Sequence, residues 1–230
     1  MDGVDRRPPL TVRPSFSASA WHGHLLQGLR APAIPLVEPA ELREIREIGD
    51  EKFRLLCDLM SGCGMRNAEA VAVNINNIVS DNTYRITEQV NQTTKVCGRL
   101  KHRKPGEYRD VPLPSRIRQE IEGYARKHGT IDGYLLRDPR DPSRPFQAYL
   151  LQNKWQRLKR EHPSLVPEGI ALYSFRHFFA SQCLQLRIPI TDVADWMGHK
   201  SLDVTFKVYR HLMPGSIASA ASSLDLALAA

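Results

Sequence analysis

An arginine–histidine pair, a glycine–histidine turn and a tyrosine ten residues beyond that turn fall within residues 172–215. The stretch reads Leu172-Tyr-Ser-Phe-Arg-His-Phe-Phe-Ala-Ser181, then Trp196-Met-Gly-His-Lys-Ser201, then Val208-Tyr-Arg-His-Leu-Met-Pro-Gly215. Pro189 separates the first block from the second, so Arg176, His199 and Tyr209 sit on different short helices or their ends. Residues arranged in this way can converge on one anion. Planar guanidiniums grip phosphate oxygens in a fork, and a phenol attacks once its proton is gone. Upstream, Arg66 follows a glycine at a helix start. Between the two regions lies a hairpin in which Lys95, Arg99, Lys101, Arg103, Lys104 and Arg109 outnumber Glu107 and Asp110.

The whole chain supports an anionic partner. Its 230 residues carry a net charge of +7, with an isoelectric point near 9.4, which favours a polyanion. That length can bury a proper core. No apolar run approaches the roughly 18 residues of a membrane span, and the first residues hold no secretory h-region. Cys57, Cys63, Cys97 and Cys183 form no CxxC pair. They read as free thiols of a reducing cytoplasm rather than disulfides or a zinc site.

The elements that must position these groups can be followed along the sequence. Residues 1–37, rich in Pro, Ser and Ala, read as an irregular arm or linker. A helix starts at Pro39, with Leu42, Ile45 and Ile48 on one side and Glu38, Glu41, Glu44 and Glu47 on the other. A second helix points Phe53, Leu56, Leu59 and Met60 inward and stops at Ser61-Gly-Cys-Gly64. Met65–Val73 is a short helix with Arg66 in its first turn. Thr83–Thr87, Thr94–Leu100 and Arg109–Leu113 are expected to form a three-stranded antiparallel sheet. Ser115–His128, Phe146–Arg160, Ser174–Leu186, Thr191–Met197 and Ser201–His211 are the following helices. Gly129 closes the first of these, and Thr191 and Ser201 cap the last two. Beyond Pro214-Gly215, Ser216–Ala230 is a helical tail with Ile217, Ala221, Leu224 and Leu228 in a stripe. The fold class is α+β: a mostly helical domain over residues 38–215 with a small antiparallel sheet.

Five ordered motifs resemble the tyrosine recombinase family, the phage-type integrases. Cys63-Gly-Met-Arg-Asn-Ala-Glu69 is similar to the family's Gly-x-Arg-x-x-Glu. The Lys101 hairpin ending in Val111-Pro-Leu-Pro114 resembles its lysine-bearing β-turn. Ser174–Ser181 is similar to its second arginine motif, Trp196-Met-Gly-His199 to its Leu-Gly-His, and Val208-Tyr209 to its nucleophile motif. The resemblance implies a tyrosine recombinase catalytic domain that cleaves and rejoins double-stranded DNA through a 3′-phosphotyrosine link, with neither ATP nor metal. It implies Tyr209 as nucleophile, with cationic neighbours favouring its phenolate. Arg66, Arg176 and His199 would hold the phosphate, Lys101 would be the acid, with Lys104 the alternative, and His177 would support them. Arg99, Arg103, Lys104, Arg109 and Tyr173 are expected on the DNA, and a homo-oligomer, a tetrameric synapse in the family, is expected to assemble there.

Two departures accompany the resemblance. Tyr173 stands where the family has a histidine, three residues before Arg176. Members also carry a helical core-binding domain ahead of the catalytic one, and residues 1–37 are too short and irregular to supply it. Two other functions therefore stay open: a truncated, non-catalytic DNA-binding relic, and a type IB topoisomerase-like enzyme.

Overall fold

The computed structural model describes residues 37–210 and 217–228. The arm expected over residues 1–37 lies outside them except for Val37, which is buried in the core. The Pro214-Gly215 break also lies outside them.

Helix α2 (Glu51–Cys63) is the centre of the packing. Asp50 caps it by accepting from the Phe53 amide at 2.8 Å, and Gly64 ends it in the left-handed region at φ 64. A Cβ on Gly64 would stand 2.6 Å from the Phe179 ring, so the close approach of the next layer depends on glycine there. That layer is α6 (Leu172–Gln185), which lies along α2. Trp155 of α5 (Ala148–Glu161) is fully buried between them, stacked on Phe53 and edge-on to Phe175. Truncating such a side chain typically costs about 3–5 kcal/mol. Helices α1 (Pro39–Glu47) and α4 (Ser115–His128) cover α2 from other sides. Short α3 (Asn67–Ala70) follows the Gly64 turn.

The three-stranded antiparallel sheet is present with a different membership. Its order is β1 (Ile78–Ser80), β2 (Thr83–Ile86), β5 (Arg109–Pro112), with Tyr84 opposite Val111. Thr94–Leu100 is not its middle strand. Asn91 accepts from the Thr93 and Thr94 amides, and Lys95 takes φ 61, so this segment is a turn. Only Cys97–Gly98 (β4) pairs, with Gln89–Val90 (β3), in a separate two-stranded ribbon.

Three helices complete the site. Helix α6 starts two residues before the expected Ser174, which brings Tyr173 into its first turn. Helix α7 (Ile190–Met197) is capped by Pro189 rather than Thr191 and ends at Gly198 with φ 60. Helix α8 (Leu202–Tyr209) is capped by Ser201, whose side chain makes no capping bond. The tail helix is α9 (Ile217–Leu228), on which Ala221, Leu224 and Leu228 are exposed. The four cysteines are free, as expected, with Cys97 half-buried. Among the described residues no helix is long and apolar enough to cross a membrane.

Candidate active site

The last carbonyls of a helix have no intrahelical partner and lie at its negative end. At the end of α7, three successive carbonyls are each taken by a different arginine. Arg109 Nε donates to Trp196 O at 2.8 Å, Arg176 Nη2 to Met197 O, and Arg66 Nη2 to Gly198 O at 2.7 Å. The arginines come from β5, α6 and the start of α3, far apart in sequence. Gly198 lets two of them pass: a Cβ there would lie 3.3 Å from both Arg109 Cδ and Arg66 Nη1.

Beneath this ring lies one buried carboxylate, Glu69. It accepts from Arg109 Nη1 and Nη2 at 2.8 and 2.5 Å, from Arg66 Nη1 at 2.8 Å and from the Arg66 amide at 2.7 Å. Burial pushes the Glu69 carboxyl upward. The Arg109 bonds, with the charges of Arg109, Arg66 and Arg176, more than reverse this and hold it at about 2. Two guanidiniums thus share one carboxylate with a third close enough to act on its charge, and the cluster keeps a surplus of positive charge.

Arg176 is 1% exposed and also donates from Nη1 to Gly64 O. Burial, then the neighbouring Arg66, lowers its pKa to about 10, so it remains a cation at neutral pH. Its Nε is buried and has no partner among the described residues. Arg66 is the member open to solvent, with 19% of its side chain exposed.

The remaining site residues stand around this cluster. His199 Nδ1 lies 2.6 Å from Thr205 Oγ1, and burial followed by Arg176 and Arg66 lowers its pKa to about 4. His177 is lowered to about 4 by burial and Arg176. Its Nδ1 is hydrogen-bonded to the phenol of Tyr209, and its Nε2 is buried without a partner among the described residues. Tyr173 meets the His177 ring edge-on at 4.6 Å between centroids.

Two of the expected residues stand in surroundings that the motifs do not announce. The phenol of Tyr209 is 1% exposed, and burial, with Tyr173, raises its pKa against the pull of Arg176. Arg176 does favour the phenolate, as expected, but burial outweighs it in this geometry, so the phenol is the resting form. Arg109, expected on DNA, is instead 6% exposed and held in this geometry by Glu69 and Trp196. Its position on a basic hairpin hid a partner 40 residues away.

Lys101, Arg99 and Lys104 are exposed on the irregular loop before β5, and Arg103 is half-buried there. His102, at φ 66 on the same loop, has its pKa lowered by partial desolvation and by Lys200, Lys101 and Arg66. The loop therefore lies within electrostatic reach of Arg66 and of the turn after α7. Sequence reasoning left His102, Lys200 and Thr205 unassigned. Glu69 was visible as the last residue of a motif, but without its role.

Among known proteins, the phage integrase family is matched over residues 37–215. Tyrosine recombinase XerA of Pyrococcus furiosus is 26% identical over 77% of this chain and 59% of its own length. Tyrosine recombinase XerC of Rickettsia bellii is 25% identical over 80% of this chain and 60% of its own. The chain thus spans about three-fifths of these relatives. The Tn1549 transposon integrase, solved in complex with circular intermediate DNA, has a similar fold. Its TM-score is 0.65 at 16% identity, covering 85% of this chain and 67% of that one.

Proposed function

The chain belongs to the phage integrase family, and we propose that it cleaves and rejoins double-stranded DNA in site-specific recombination, with Tyr209 as nucleophile. The observation that carries this reading is the convergence of Tyr209, His177 and His199 on the Arg66–Arg176 cluster, whose positive charge exceeds that of its one carboxylate.

The phenolic oxygen of Tyr209 attacks the scissile phosphorus. With His177 protonated on Nε2, Nδ1 is placed to receive the phenolic proton. A bond forms from Tyr209 Oη to phosphorus and the bond from phosphorus to the 5′ oxygen breaks. The leaving oxygen takes a proton from the basic loop, where Lys101 is the assigned donor and Lys104 the alternative. Arg66, Arg176 and His199 stabilise the charge on the non-bridging oxygens. Attack by a second DNA end reverses these steps. Because Tyr209 is buried in the resting geometry, the phenol must be uncovered before attack.

Arg99, Arg103, Lys104 and Tyr173 are the remaining proposed DNA contacts, in a cytoplasmic protein. Assembly into a homo-oligomer on DNA would use the exposed apolar residues of α8 and α9, Leu202, Val204, Phe206, Leu224 and Leu228. The binding-only reading gains support from the buried, high-pKa Tyr209.

One experiment decides between them. Nicked suicide duplexes are incubated with wild type and Tyr209→Phe and resolved on denaturing gels. A covalent adduct in wild type, absent in Tyr209→Phe with DNA binding retained, is the expected outcome. No adduct from a wild type that binds DNA would leave the binding-only reading.

A further inference from the structure

We propose that Arg109 is a positioning residue for strand cleavage, acting through Glu69 and the end of α7 without touching DNA. The inference rests on the cleavage reading above. A guanidinium has five N–H donors in one plane, and Arg109 directs them at two targets. Nη1 and Nη2 grip both oxygens of Glu69, and Nε holds the Trp196 carbonyl. Each target leads to a residue assigned to the phosphate. Glu69 Oε1 receives Arg66 Nη1 beside Arg109 Nη1, and Glu69 Oε2 receives the Arg66 amide, so the carboxylate plane sets where Arg66 points. Trp196 O is one peptide before Met197 O, which Arg176 holds, and two before Gly198 O, which Arg66 holds; His199 follows.

Electrostatics gives the same direction. Without Arg109, the negative Glu69 would turn its full charge on Arg66 and Arg176 and weaken their hold on an incoming phosphate. With Arg109 in place, Glu69 is neutralised locally, and the other two guanidiniums keep charge for the substrate. Arg109 therefore orients Arg66 and preserves the charge surplus, both of which matter most when charge builds on the non-bridging oxygens.

The test measures single-turnover cleavage at saturating nicked duplex, with DNA affinity measured alongside, for wild type, Arg109→Met and Arg109→Lys. Two duplexes are used. One has an ordinary scissile phosphate; the other has a methylphosphonate, which lacks the charged oxygen that Arg66 and Arg176 would stabilise. On the ordinary duplex, Arg109→Met should slow cleavage at least about 100-fold while affinity changes less than about threefold. Arg109→Lys keeps the charge but loses the fork, and should fall between Met and wild type. On the methylphosphonate the Arg109→Met defect should shrink at least about tenfold, because the charge under its indirect control is gone. A merely structural role would lower the fraction of active protein equally on both duplexes.

Equal defects on the two duplexes, or wild-type rates in Arg109→Met, would overturn the proposal while leaving the cleavage reading intact. Absence of adduct from wild type on the ordinary duplex would overturn both. Should Arg109→Met fail to fold, the same comparison is read on Arg109→Lys, which keeps a cation opposite Glu69, and equal defects on both duplexes there count against the proposal in the same way.

Discussion

Two clusters in this molecule use the same residue types to opposite ends. In the first, Glu69 is shared by Arg109 and Arg66, with Arg176 close enough to affect its charge. In the second, Arg46 of α1 holds Asp58 of α2 at 2.6 Å and Glu120 of α4 at 3.3 Å, with Arg116 at 3.2 Å from Glu120. Two carboxylates there meet two guanidiniums. Burial, then the facing Asp58, pushes the Glu120 carboxyl up to about 7. Glu69 goes the other way, to about 2. The ratio of charges, more than burial, separates them. A carboxylate outnumbered by arginines stays ionised and leaves positive charge for a ligand. A carboxylate facing another competes for the same cations, and the cluster becomes a tie between three helices.

The largest expected effect comes from deleting each central acid. Glu69→Ala strands the buried Arg109 cation, a change that costs about 3–5 kcal/mol. Asp58→Ala leaves Glu120 available to Arg46, so the loss should be nearer 2 kcal/mol. Urea unfolding of both variants checks this, and equal losses would break the contrast.

A smaller effect separates the clusters by the sign of their pH dependence. The folded pKa of Glu120 lies above its ordinary value of 4.5, so the native state binds its proton more tightly. Stability from this group is present at low pH and is lost as pH rises from 4.5 through about 7. Glu69 has a depressed folded pKa, so its contribution is present above 4.5 and is lost as pH falls towards about 2. Glu120→Gln should therefore flatten the decline in urea midpoint between about pH 5 and 7 and leave the acid limb unchanged. An unaltered decline would mean that Glu120 does not set it.

The smallest effect sharpens which surplus charges reach DNA. Arg99 and Lys104 are exposed, whereas Arg109 is spent on Glu69. Removing Arg99 or Lys104 should reduce the slope of log K against log salt by about 0.9 each, and Arg109→Met should leave it unchanged. Fluorescence anisotropy across a salt series gives these slopes. A fall in slope for Arg109→Met would place that side chain on a phosphate and undo its assignment.

How legible this was depended on how local the governing interactions are. The sequence showed α4 with its observed bounds, because Pro114 and Gly129 punctuate it at either end. It showed the stop of α2 at Gly64 for the same kind of reason. It placed Arg66, Arg176, His177, His199 and Tyr209 in one constellation, since motif order carries that information. It misplaced the strand at Thr94–Leu100, where the side chain of Asn91 takes two amides and turns the chain. It missed Ile78–Ser80, a three-residue strand after an Asn-rich turn with little apolar pattern to announce it. The burial of Arg109 was not legible because it is decided by what packs on a residue. The packing of α7 against β5 is not written near either element. The burial that outweighs Arg176 at Tyr209 was not legible for the same reason.

Gly198 ties the turn and the arginine ring into one heritable unit. Its left-handed backbone ends α7, and its missing side chain spares Arg66 and Arg109 a contact of 3.3 Å. Asparagine, which tolerates such a backbone elsewhere, avoids that contact no better than alanine does. A substitution here is therefore judged on two counts at once: asparagine keeps the turn but crowds the ring, and alanine strains both.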